Sequence, residues 1–236
     1  MKRITFSLRK TAFFEAAPSA AGGVPAAPDV SFVPAMMRRK LSFLEKAALA
    51  VLHEAAPPAG TDCALVFASR YGERRRTVRL LRQLFDESEL SPAGFSLSVH
   101  NATAGLFSLL RGGNAPYTSL AAGARTLENA LLQAILAQEN VLFAYAEEPL
   151  PELYAERFPE IVPHAGALAL FLEFGNGTEN SPENSDGNGA RFCATAGVAG
   201  TPPLGFSALR NFLEKSPDAA AAQRLETAMF TLTRAN

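Results

Sequence analysis

The chain has 236 residues, 48% of them apolar, and a formal net charge of −1. That balance supports a sizeable core and excludes a disordered chain. It also leaves no bulk field to draw nucleic acid or an acidic membrane surface, so neither is expected as a partner.

Two cysteines, Cys63 and Cys193, lie far apart in apolar, strand-like runs and read as reduced core thiols. No Cys or His stands near a second one at ligand spacing, so no metal site is expected. Residues 1–10 are basic but hold no long apolar run, and no stretch of about 18 apolar residues exists anywhere. A cytoplasmic location without a membrane span is the expectation. No internal repeat and no second composition regime is found, so residues 1–236 are read as a single domain.

In chain order, Ile4–Leu8 suits a short strand, within an otherwise irregular segment over residues 1–30 that includes an Ala/Gly/Pro-rich linker from Ala16 to Pro28. A helix is predicted from Ser42 to Ala55, with Phe43, Ala47, Leu49 or Ala50, and Leu52 on its apolar side and Pro57-Pro58 as its stop. Just before it, Arg38-Arg39-Lys40 is either a solvated approach or a phosphate-binding cluster. Asp62–Ser69 is a continuous apolar run and therefore a buried strand. Tyr71-Gly72 breaks it, and Arg74–Phe85 follows as a helix with Val78, Leu81, Leu84 and Phe85 facing inward. Three cations, Arg74, Arg75 and Arg76, open that helix. Such a run is ordinarily an exposed helix start, but the helix dipole disfavours cations there, which favours a ligand or partner role more than at Arg38.

The stretch Phe95–Leu110 is the most informative. Phe95, Leu97 and Val99 alternate with Ser96, Ser98 and His100, which is strand periodicity. From Ala102 the apolar spacing becomes helical, Asn101 and Thr103 are cap-type residues, and Gly112-Gly113 ends the run. A sharp strand-to-helix elbow is the prediction. Such an elbow places one residue at a helix N-terminus, where backbone N–H groups favour a thiolate or oxyanion. Further on, Tyr117–Leu120 is a short strand, Thr126–Gln138 an amphipathic helix, and Asn140–Ala146 a buried strand. Ala165–Phe174 and Arg191–Val198 are read as an antiparallel pair joined by a flexible loop over residues 175–190. Phe206–Lys215 and Ala219–Leu232 are read as two short C-terminal helices. Alternating strands and helices argue an α/β layered domain.

Taken from the residues alone, Ser98 or Thr103 is a candidate nucleophile, with His53, His100 or His164 as base and Glu147 to orient it. The hydrolase pattern Gly-x-Ser-x-Gly is missing, and Gly112-Gly113 lacks the Lys-Ser/Thr of a phosphate loop. A stand-alone acyl-thioester hydrolase or transferase using Ser98 and His100 stays open as an alternative.

The segment Ser91–Gly105 resembles the region around the active-site cysteine of β-ketoacyl synthases, which have the thiolase-like fold. Ala64–Gly72 is similar to that family's early strand and glycine turn, Ala122–Leu142 to its helix and central strand, and Gly166–Glu173 to another strand. Phe32–Leu44 resembles the short chain length factors of aryl polyene pathways. The resemblance runs in order over residues 30–200. It implies one αβα half of the thiolase-like fold, with a mixed and mostly parallel sheet.

In catalytic relatives the cysteine stands three residues before the elbow glycine. Counting back from Gly105 gives Ala102, which has no attacking group, and only about forty residues follow Val198, with no histidine among them. The resemblance therefore implies no catalytic residue and no cofactor in this chain. Ser98, His100, Asn101, Ala102, Thr103 and Gly105 form the nucleophile-equivalent elbow. The implied role is that of a chain length factor forming a heterodimer with a full-length β-ketoacyl synthase. Phe107, Tyr117, Thr118 and Ser119 would then line its pocket or interface. Arg38, Arg39, Arg74, Arg75 and Arg76 would meet an acyl carrier protein. A homodimeric acyl-binding module is the other alternative.

Overall fold

A computed structural model describes residues 3–16, 26–86, 89–157, 165–175, 190–214 and 224–234. His164, most of the linker before Pro28 and nearly all of the 175–190 loop lie outside these described residues. Strand β1 covers Ile4–Glu15, α1 covers Ala35–Arg38 and α2 covers Phe43–Ala55. Next come β2 (Ala64–Ala68), α3 (Arg74–Phe85), α4 (Pro92–Ser96), α5 (Ala102–Arg111) and β3 (Tyr117–Leu120). After a 3-10 turn at Gly123–Arg125 follow α6 (Thr126–Ala137), β4 (Val141–Glu147), α7 (Glu152–Arg157) and β5 (Gly166–Glu173). The chain ends with β6 (Ala190–Ala196), α8 (Phe206–Glu214), β7 (Arg224–Glu226) and β8 (Phe230–Arg234).

The eight strands among the described residues join one sheet in the order β3-β2-β4-β5-β1-β6-β8-β7. Helices cover both faces, as an α/β layered fold requires. On one face α2 packs on β1, β4 and β5, with α5 beside it. Ala47, Ala48 and Ala55 of α2 share their core with Ala144, Ala146, Ala167 and Ala169, so helix and sheet approach through small side chains. On the opposite face α6 and α8 bury Leu131, Ile135, Leu209 and Phe212 against Phe143, Leu168, Leu170 and Phe192.

The expectation of a mostly parallel sheet is corrected. Only β3, β2 and β4 run parallel to one another; every other neighbouring pair is antiparallel. The expected β5–β6 hairpin is also absent, because β1 lies between those strands and pairs antiparallel with both. The N-terminal segment is thus a central twelve-residue strand through Glu15 rather than irregular chain. A register shift between Leu8 and Lys10 explains why its pattern misled. One extra residue reverses which parity faces which side. Ile4, Phe6 and Leu8 point to the α6/α8 face, whereas Ala12 and Phe14, also even-numbered, point to the α2 face.

Two helical expectations change as well. In α3, Val78 and Leu80 are buried as Arg76 turns inward, leaving Leu81 (56% exposed), Leu84 (59%) and Phe85 (88%) at the surface rather than inside. Of the two expected C-terminal helices, Phe206–Glu214 forms but the residues from Arg224 make the β7–β8 hairpin. Phe230 and Leu232 are buried and pair along β6, and the threonines between and beyond them suit a pleated strand. No helix among the described residues is long and apolar enough to cross a membrane.

Candidate functional site

The predicted elbow at His100–Ala102 is replaced by a helix-turn-helix. Ser91 caps α4 through Gly94 N–H (3.2 Å), with Pro92 in its first turn, and this start signal overrides the alternation that follows. Phe95 and Val99 remain 63% and 45% exposed, so no sheet face collects them. The Ser98 hydroxyl donates to Phe95 O (2.7 Å). His100 Nε2 lies 2.8 Å from Ser69 O. The two candidate catalytic side chains are therefore each engaged with backbone and not with each other. His100 also closes over Gly72, where a Cβ would come within 3.0 Å of its ring and where φ is +56°. Glycine is required there twice, by contact and by backbone conformation.

Asn101 precedes α5 without a side-chain cap, Ala102 is half-buried and Thr103 is buried. Gly105 faces Tyr117, whose hydroxyl would be 3.5 Å from an added Cβ, so the start of α5 sits against β3. Phe107 is 6% exposed and packs in the α2-side core.

A true strand-to-helix junction exists elsewhere, where β3 runs into α6. Ala121 and Ala122 lead to Gly123, which has φ +58°, and an added Cβ there would meet nothing within 4 Å. The left-handed glycine turns the strand into the 3-10 turn that begins α6. Thr126, 1% exposed, accepts from Ala122 N–H (2.9 Å) and donates to Gly123 O (2.7 Å). Arg125 is held by Glu128 (2.7 Å) and Thr201 O (3.0 Å). Glu128 in turn accepts from Met229 N–H (3.0 Å), tying the junction to the C-terminal hairpin. Sequence reasoning passed over this elbow. Its signal was the glycine between the Tyr117–Leu120 strand and the amphipathic run from Thr126.

Beside these junctions, a buried polar network occupies the ends of β2 and β4. Ser69, fully buried, accepts from Gly72 N–H (2.9 Å), and Glu147 accepts from Arg70 N–H. Burial pushes the Glu147 carboxyl up to about 7, against backbone and side-chain hydrogen bonds that favour its charged form. Desolvation and then the charge of Glu73 raise Glu148 to about 8. Both carboxyls thus change charge near neutrality.

The basic run at α3 divides into separate roles. Arg76, 5% exposed, bridges Glu45 and Glu73 and is no surface contact for a carrier protein. Arg75 donates to Pro149 O (2.8 Å) and Leu150 O (3.4 Å), and the Arg74 guanidinium lies 5.4 Å from the Tyr154 ring centroid. Arg38 ends α1 half-buried, and Arg39 follows it exposed. Cys63 and Cys193 are free thiols, and burial pushes the Cys63 thiol up to about 11. No cluster of three metal-ligating side chains occurs among the described residues.

The model of the beta-ketoacyl synthase N-terminal domain family matches residues 15–226, and the chain belongs to that family. A search of curated proteins finds no match. Among solved structures, the chain is similar to one described as ketosynthase ApeO in complex with its chain length factor ApeC from Xenorhabdus doucetiae. Identity there is 22% and the TM-score 0.68, covering 98% of this chain and 100% of the matched one. An AntDE:AntF complex, a type II polyketide synthase acyl-carrier protein with its ketosynthase, matches at 13% identity and TM-score 0.54, covering 73% and 64% of the two chains. A beta-ketoacyl synthase from Burkholderia phymatum matches at 13% identity and TM-score 0.54, covering 89% and 68%. The fold is thiolase-like, of the ketosynthase kind.

Proposed function

We propose that the chain is a non-catalytic ketosynthase-like subunit, acting as a single domain in the cytoplasm. It pairs with a full β-ketoacyl synthase, shapes that enzyme's acyl pocket and so limits chain growth in polyene or fatty-acid-like synthesis. The observation that carries this reading is the chemistry of the strand-to-helix junction. A condensing enzyme needs a nucleophile to hold the acyl group as a thioester. Here Ala121, Ala122, Gly123, Ala124 and Arg125 supply none, and the Thr126 hydroxyl is committed to backbone. Ala102, the position inferred from sequence, offers none either. The reading therefore holds at both junctions.

The likeness to a chain of the ketosynthase–chain length factor complex supports it further. The match covers the whole of one chain in that complex, at a TM-score of 0.68. The uncovered strand β3, with Tyr117, Thr118 and Ser119, is the proposed interface. An acyl carrier protein is the proposed third component.

The test is co-expression with a full-length β-ketoacyl synthase. A stable complex is expected, with product length changing when this subunit is omitted. Failure to co-purify together with an unchanged product sinks the proposal. So does turnover of acyl thioesters by the isolated chain, and its loss on Ser98→Ala or His100→Ala would assign it to those residues.

A further inference from the structure

A cleft of about 620 Å³ opens between the turn leading into α2, helix α3 and helix α4. That volume lies in the range of small-molecule sites, roughly 300–1,000 Å³. Its walls carry Arg39, Lys40, Arg75, Arg76 and Arg79 and, among the described residues, no acidic one. Arg76 is neutralised by Glu45 and Glu73, and Arg75 is spent on backbone carbonyls. Arg39, Lys40 and Arg79 make no ion pair or side-chain hydrogen bond among the described residues, and all three are exposed. Three unpaired cations around one cleft repel one another, and no acidic side chain among the described residues lines the cleft to offset them.

Between the cations lie both polar side chains, Ser42, Gln83 and Ser91, and an apolar strip. Leu41, Phe43 and Leu80 are each less than 9% exposed, and Leu97 is half-buried beside Ala93 and Gly94. Such a cleft recognises a ligand with a compact, multiply charged anionic head and an uncharged body. Two guanidinium forks and an ammonium suit a phosphate head better than a carboxylate, because a phosphate has three oxygens to share among them. Arg39 and Lys40 of one basic run and Arg75 and Arg76 of the other thereby share one cleft.

We propose that this cleft binds a small organic phosphate ester, its head held by Arg39, Lys40 and Arg79 and its uncharged arm laid on Leu80 and Leu97. The site is independent of the pairing proposed above and is present in the isolated chain. Calorimetric titration of that chain with hexyl phosphate, hexanol and inorganic phosphate tests it. Saturable one-site binding of hexyl phosphate is expected, about tenfold tighter than inorganic phosphate. Arg79→Glu, on an exposed side chain, should weaken it at least about tenfold without lowering the melting temperature. Hexyl phosphate binding no tighter than hexanol overturns the proposal without recourse to any variant. Unchanged affinity in a folded Arg79→Glu protein overturns it as well.

Discussion

Glu147 closes strand β4 with its carboxyl buried against the Arg70 backbone, and its proton is held more tightly folded than unfolded. The folded value is about 7 against 4.5 for a free carboxyl. Between those pH values the native state keeps a proton that the unfolded chain has released. Its contribution is therefore fully present below pH 4.5 and is lost as pH rises through about 7. Glu148 adds a loss of the same sign, extending to about 8. The urea midpoint should fall across this interval, and Glu147→Gln should flatten that fall while keeping an oxygen for Arg70 N–H. Parallel pH profiles for the two proteins would refute the assignment. Little of this network was legible in the sequence. Arg76 could be seen as one cation of a run, but its partner Glu45 lies 31 residues away and only the fold brings them together.

Elements were legible where their signals are local. Helix α2 formed as expected because its capping box, Ser42 with Glu45, sits directly before an apolar period. Where pairing is non-local, reading failed. The alternation from Phe95 to His100 had no strand to join, and the chain from Arg224 became a hairpin because β6 offers it an edge. That hairpin depends on Gly197. An added Cβ there would lie 2.5 Å from both Ala228 O and Phe230 N. These are backbone atoms, held by Val198 N–H to Thr227 O (2.8 Å) and Thr227 N–H to Phe230 O (2.9 Å). Gly197→Ala should cost about 1–3 kcal/mol, the range for overpacking. Hydrogen exchange should accelerate in β8 while β2 and β4 stay protected. Gly175→Ala, with nothing within 4 Å, is the matched control, and equal effects from both would sink the explanation.

At the scale of the molecule, the two edges of the sheet are treated differently. The β7 edge is three residues long and carries Arg224 and Glu226, an ion pair on an exposed strand. Short length and charge are ways of blunting an edge against further pairing. The β3 edge, Tyr-Thr-Ser-Leu, carries no charge, and Tyr117 and Thr118 are exposed. Leu65 N–H donates to Pro116 O and Ser69 N–H to Leu120 O, so the even-numbered residues of this stretch bond to β2. In a parallel ladder the N–H groups of Tyr117 and Ser119 then point away from the sheet, toward whatever joins it. Ser119→Pro removes one of those outward donors without touching a bond to β2, and proline is tolerated on edge strands. If the proposed ketosynthase partner adds its own strand here, Ser119→Pro should abolish co-purification with little change in the melting temperature of the free chain. Thr118→Val, altering a side chain but no outward N–H, should leave the complex intact. A complex that survives Ser119→Pro places the partner on another face and removes β3 as the interface.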